Sequence, residues 1–263
     1  MLSNRVRIIL LCVLFNILFE YSARGITTLS QRPLLFLSLF GIYFTFFAMF
    51  EDLMVRYRLK NYQIALFAFL YGFIPEMFLT GNLFNKTIYF GLLFLGLNLG
   101  TLLSINFFAW GILQSIVTFY FANRIQVRDW NHPRMGKLGW ALCVGYQVLV
   151  ILLSRSNLYR PRGTPLSYLV ALILIVVVAA VFISKLSKRE NILHFQPSLV
   201  MDVFAFGSVI LFVILGTFFI HGPQIITSQP LNRTAVVIEN LWVVFVGIGF
   251  LIYRYFKGSD VVV

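Results

Sequence analysis

Nine aspartate and glutamate residues occur in this chain, and six of them interrupt or border long apolar runs: Glu20, Glu51, Asp52, Glu76, Asp202 and Glu239. An ionised carboxylate held in hydrocarbon costs a few kcal/mol, so acids kept at such positions bind something, relay protons or pair with a cation. The remaining groups with chemical potential are three histidines, His132, His194 and His221, and two cysteines, Cys12 and Cys143. Carboxylates therefore dominate the available chemistry, and proton or cation binding is the chemistry they suit.

Spacing sorts these groups. Asn16, Glu20 and Arg24 fall four residues apart, so one helix face carries all three and Arg24 can pair with Glu20 while reaching toward the interface. Asp52 and Arg56 have the same spacing next to a basic stretch, which predicts a structural ion pair at a helix end. The run Glu51-Asp52 followed by Arg56 is similar to the Glu-Glu-x-x-x-Arg motif of intramembrane CAAX-type proteases, whose carboxylates and histidines activate water. That family also carries a Phe four residues before one histidine and an Asn or Asp four residues after another. Here His132, His194 and His221 follow Arg128, Glu190 and Thr217 and precede Gly136, Ser198 and Ile225. With one motif of three, the chain is not assigned to that family, and the ion pair is the reading carried forward.

Metal and cofactor chemistry has little footing. There is no His-Glu-x-x-His and no Asp-Asp-x-x-Asp, and His194 and His221 flank one helix whose length is roughly 40 Å. The six lysines all fall at or beyond the ends of apolar runs, so none supplies a buried amine. Cys12 and Cys143 lie inside apolar runs, which gives neither a disulfide framework nor a CxxC site. A lone cysteine in such a run packs as a small hydrophobe. No metal site and no cofactor are expected.

The elements that must position the carboxylates follow from composition. Of 263 residues, 60% are apolar and 11% charged, and the mean hydropathy is +0.88. Such a chain cannot coat a globule in water, and no polar stretch is long enough for a separate soluble domain. Residues 1–263 read as a single integral membrane domain, all-α, a polytopic transmembrane helical bundle. The net charge of +12 comes from cations in short connections between apolar runs, which points to anionic lipid headgroups as the partner and not to nucleic acid. Other membrane proteins are compatible partners.

A crossing helix needs roughly 20 mostly apolar residues. Runs of that kind occupy about 6–23, 33–50, 62–82, 138–154, 165–184, 199–221 and 235–253. The first ends without a clean small-residue cleavage site and reads as a retained helix. Residues 87–122 hold no charge and would make one helix of roughly 54 Å, too long for a straight crossing. The weak break points Asn98, Gly100, Ser104 and Asn106 suggest two helices joined near 103–106, for eight or nine apolar segments in all. Nine crossings would divide the cations 9 to 12, with almost no bias, whereas eight crossings divide the 21 cations 14 to 7. The positive-inside rule favours eight, with both termini cytoplasmic. One element within 62–122 then does not cross: a broken or re-entrant segment near 72–76, where Pro75 removes a helix hydrogen bond, or an interfacial helix near 107–122. The two glycosylation-type sequons, starting at Asn85 and Asn232, fall on the other side. The glycines at 91, 96, 100, 247 and 249 read as close helix packing, and the 29 phenylalanines as packing and lipid-facing bulk.

In the eight-crossing arrangement Glu20 and Glu76 each lie roughly 20 Å across a core of about 30 Å. His221, Glu239 and Asn240 fall near the same level. The expectation is a polar cavity open to the non-cytoplasmic side, lined by Glu20, Glu76, His221, Glu239 and Asn240, in a transporter or permease-type protein binding a proton, cation or small substrate. The alternatives are an integral enzyme acting on a lipid or polyisoprenoid phosphate, and a non-catalytic subunit of a membrane complex.

Overall fold

The computed structural model describes residues 3–26, 31–86, 91–154, 162–186, 195–218 and 233–257. Apolar length and capping chemistry set its helices. Helix α1 (Asn4–Arg24) starts at Ser3, whose hydroxyl accepts from the Val6 amide, and stops at Gly25, whose φ of 74° lets its N–H turn back to Tyr21. Helix α2 (Pro33–Tyr57) opens on a proline, whose missing donor costs nothing at a first turn. Helix α3 spans Asn61–Leu79, then α4 spans Thr101–Ile125, α5 Lys137–Ser154, α6 Pro165–Ser184, α7 Leu199–Phe218 and α8 Arg233–Lys257. Among the described residues all of these except α5 are long and apolar enough to cross a membrane, and α5 is a shorter apolar helix. The protein is an all-α, multi-pass integral membrane bundle.

Polar contacts at the helix ends show the chain alternating in direction. Asn4 and Arg5 at the start of α1 donate to the Val127 and Pro133 carbonyls beyond the end of α4, and Arg5 also reaches Ala48 O in α2. Trp140 in the first turn of α5 donates to Asp52 near the end of α2. Gln63 at the start of α3 donates to the Lys185 carbonyl at the end of α6. Arg124 at the end of α4 meets Asp202 in the first turn of α7. One end of the bundle thus gathers Arg5, Arg56, Arg124, Arg128 and their neighbours, and is here called the basic end.

Region 62–122 departs from its sequence reading in two respects. Pro75 does not end α3: the helix widens there into π-type winding over Pro75–Leu79, so the turn accommodates the missing donor. Residues 101–125 form one helix, with no join near 103–106 and no interfacial helix at 107–122; α4 is π-wound over Thr101–Val117 and α-helical over Thr118–Ile125. The non-helical piece lies earlier. After a 3₁₀ turn at Asn82–Phe84, strands β1 (Leu93–Phe94) and β2 (Leu97–Asn98) pair antiparallel through Leu95 and Gly96. Both turn residues have positive φ, 49° and 83°, the requirement of a tight type I′ hairpin. Gly91 (φ 62°) and Gly96 therefore serve backbone turning and not helix packing.

Protein covers one strand of the hairpin, while Phe94 and Leu95 are 59% and 50% exposed. Leu97 and Asn98 are buried; Asn98 donates to Asn85 O and accepts from the Thr101 amide, so it knits the hairpin to the start of α4. Phe84 packs on Tyr168 of α6 with ring centres 4.7 Å apart. At the centre of the bundle Phe46 packs against Phe50, Tyr71 and Trp110, at 5.3, 4.0 and 5.8 Å between centroids. Since lipid tails are as apolar as these rings, close contact and not escape from water holds the helices together.

Candidate functional site

The carboxylates fall into two groups with different partners. At the basic end each span acid faces an arginine. Both oxygens of Glu51 accept from Arg128 Nε, at 2.8 and 3.1 Å, with the Arg128 side chain 1% exposed. The guanidinium lies over the Phe119 ring, 5.0 Å from its centre, and 5.2 Å from that of Trp130. His132 Nε2 approaches Glu51 Oε1 at 3.4 Å. Asp52 accepts from Arg56 at 2.7 Å, the Met135 amide at 2.5 Å and Trp140 Nε1 at 2.9 Å, with Arg5 at 3.7 Å. Asp202 takes a two-point contact from Arg124, at 2.7 and 3.2 Å, and a bond from Tyr120.

These pairings bear on the protease-like run. Glu51 is saturated by Arg128 and His132, and Asp52 holds the start of α5 against α2. Both carboxylates are fully buried and committed to these donors, as structural pairs are.

The opposite end is built differently. Glu20 pairs with Arg24 at 2.9 Å, as the spacing implied, and also accepts from Tyr43 Oη of α2 at 2.8 Å. Gln114 of α4 donates to the same phenol oxygen at 3.1 Å. Glu239 of α8 is 6% exposed and accepts from Ser22 of α1 at 3.1 Å. Glu76 of α3 is 5% exposed; its Oε2 accepts from Thr80 at 3.0 Å and Asn82 at 2.9 Å, and Trp110 reaches the same carboxylate. Glu20 lies close enough for its charge to act on both Glu76 and Glu239. Among the described residues, no three His, Cys, Asp or Glu side chains converge on one point, so these acids form a neighbourhood and not a metal cage.

The other expected members of this site fare differently. Asn240 is half-buried and spends its amide on Val236 O at 2.7 Å within its own helix. His221 lies outside the described residues, as does His194. Cys12 and Cys143 are both buried free thiols.

Helix α4 contributes residues that the sequence reading passed over. Asn106, Trp110, Gln114 and Thr118 recur every four residues on the most buried span of the bundle. Trp110 meets Glu76, Gln114 meets Tyr43, and Thr118 accepts from Asn16 of α1 at 3.3 Å. Asn106 is fully buried, and neither its amide nitrogen nor its oxygen has a hydrogen-bond partner. The spacing was visible, but an uncharged polar residue in an apolar run gives no signal until the facing acids are known.

Comparison with protein-family models, with curated proteins and with solved structures gives no match to this chain. Its class rests on its own architecture: an all-helical multi-pass membrane protein with acids clustered toward one end.

Proposed function

We propose that the protein is a transporter or permease-type protein that binds a proton or small cation among Glu20, Glu76 and Glu239, at the end opposite the basic end. The observation that carries this reading is the charge count among the described residues: Arg24 pairs with Glu20 of α1 and also acts on Glu239 of α8, while Glu76 of α3 has neutral donors and the charge of Glu20 nearby but no cation paired with it. With all three ionised, two negative charges are uncompensated in a setting where each costs a few kcal/mol. Binding a proton or monovalent cation relieves that cost. Because the carboxylates do not converge on one point, a proton suits them better than a multivalent metal. The polar row on α4 runs from this cluster toward the basic end and gives a proton or its hydrating water a line of partners.

Orientation follows the same reading. The 14-to-7 division of cations puts the basic end and both termini in the cytoplasm and the acid cluster on the other side. Single cysteines at the exposed positions Arg134 and Lys86 are expected to react only from the cytoplasmic and only from the opposite face, respectively.

The functional test is flux in proteoliposomes carrying the purified protein and a pH-sensitive dye, under an imposed pH gradient. Wild-type protein should dissipate the gradient faster than empty vesicles, and Glu76→Gln and Glu239→Gln should each lower that rate at least tenfold. Undiminished rates in both variants would overturn the reading. Absence of flux together with turnover of a labelled lipid phosphate would replace it with the enzyme alternative.

A further inference from the structure

A second polar feature lies at the basic end, independent of the acid cluster and of the transport reading. Between the last turn of α2 and the first turn of α5 opens a cleft of about 650 Å³. Arg56, Arg134 and Lys137 supply its charge, Tyr57 and Trp140 its aromatic walls, and Gly136 its open floor, where no atom stands within 4 Å of the position a side chain would occupy.

Three observations give this cleft a ligand chemistry. Arg134 and Lys137 are exposed and form no ion pair among the described residues, so the cleft carries two cations that no carboxylate neutralises. Arg56 gives one guanidinium nitrogen to Asp52 at 2.7 Å, while its Nε is buried without a hydrogen-bond partner. A buried donor left unpaired costs about 1–3 kcal/mol, a cost that an acceptor in the cleft removes. The first amides of α5 also lack an acceptor within their helix, and a helix N-terminus carries partial positive charge. Asp52, the nearest acid, is already committed to Arg56, Met135 and Trp140, so it does not occupy the cleft.

We infer that this cleft binds a phosphate group, most simply the headgroup of an anionic phospholipid. A tetrahedral anion with several acceptor oxygens matches three convergent cations and a helix N-terminus. Tyr57 and Trp140 have the amphipathic rings that settle at headgroup level. The cleft opens at the end of the bundle where the spans meet the interface, and Leu138 and Leu142, 73% and 65% exposed on the adjoining helix, continue as an apolar wall for the acyl chains.

Short-chain phosphatidylglycerol, short-chain phosphatidylcholine and inorganic phosphate titrated separately into the purified, delipidated protein in detergent, with bound species counted by native mass spectrometry, test this. Phosphatidylglycerol should bind more tightly than phosphatidylcholine. The double variant Arg134→Ala with Lys137→Ala should weaken phosphatidylglycerol binding roughly tenfold or more, as two interfacial cations worth about 1 kcal/mol each imply. Both residues are exposed, so this variant is expected to keep the wild-type melting temperature. The control pair, Lys185→Ala with Lys257→Ala, removes the same charge from exposed positions at the same end but outside the cleft. Inorganic phosphate displacing the lipid at comparable concentration would assign the site to soluble phosphate, and failure to displace it would assign the site to the lipid headgroup. Equal weakening by the two pairs would overturn the inference, since a general basic surface would then account for binding. Should the double variant fail to fold, Arg134→Gln alone replaces it and is expected to weaken phosphatidylglycerol binding about fivefold, as one interfacial cation worth about 1 kcal/mol implies; an unchanged affinity in that variant would overturn the inference.

Discussion

Tyr43 of α2 donates its phenol hydrogen to Glu20 of α1 at 2.8 Å while accepting from Gln114 of α4 at 3.1 Å, so one hydroxyl ties three spans together. Tyr43→Phe keeps the ring and removes that oxygen, leaving Gln114 Nε2 without its acceptor in the core. A loss of about 1–3 kcal/mol follows from an unsatisfied buried amide. It should appear as a lowered melting temperature in detergent, with Glu20 still held by Arg24. An unchanged midpoint would mean that this bond does not hold the three spans.

At the basic end the Glu51–Arg128 pair is sealed from solvent, and removing one partner strips the other of its buried counter-charge. Breaking a buried pair on one side costs about 3–5 kcal/mol, whereas replacing both partners by apolar residues of similar volume is often close to neutral. Glu51→Leu alone and Arg128→Met alone are each expected to cut the amount of folded protein in membranes severalfold. The combined Glu51→Leu/Arg128→Met protein should accumulate better than either. If the double variant is worse than both singles, the pair is not the source of the damage.

The neighbouring pair is lopsided. Asp52 is fully buried and accepts from Arg56, Met135 and Trp140, whereas the Arg56 side chain is 30% exposed and has water to fall back on. Asp52→Ala should therefore cost about 2–4 kcal/mol, from the donors it strands, and Arg56→Ala about 1 kcal/mol. Thermal unfolding of the two variants decides this, and equal losses would show that the ion pair alone, and not the tie to α5, is what Asp52 supplies.

Leu95 holds φ at 49° in the hairpin turn and is half exposed, so it bears the left-handed cost without deep burial in return. Asparagine tolerates that conformation at lower cost, by about 1 kcal/mol. Leu95→Asn should raise the melting temperature by a degree or more; a lower value would show that the leucine side chain contributes more by contact than its backbone costs.

Much of the fold was legible from length and charge. The apolar runs set the starts of seven helices within two residues, although α2 runs on through Glu51, Asp52 and Arg56 to Tyr57, and the 14-to-7 cation split fits the alternation of helix directions seen at their contacts. The region from 62 to 122 was not legible, for two reasons. Pro75 normally signals a break, but π-type winding absorbs it, and the hairpin at 93–98 holds, apart from Asn98, only apolar residues and a glycine, so its composition reads as part of a helix. Within the site, Glu20–Arg24 and Asp52–Arg56 could be read from four-residue spacing because both partners lie on one helix. The partners of Glu239, Glu51 and Asp202, which are Ser22, Arg128 and Arg124, lie 77 to 217 residues away along the chain. No local pattern encodes such pairings.

The uneven distribution of ion pairs has an electrical consequence. Glu51, Asp52 and Asp202 are each matched by an arginine, so a change in transmembrane voltage exerts opposing forces on the two members of each pair and does almost no net work on them. Among the described residues Arg24 is paired with Glu20 and acts also on Glu239, and Glu76 is paired with no cation, so charge held by these three acids is not matched one for one. Moving one elementary charge across the whole membrane is worth about 2.3 kcal/mol per 100 mV. Within the spans, any such work falls on the charge that α1, α3 and α8 carry toward that end, and not on the three paired acids at the other.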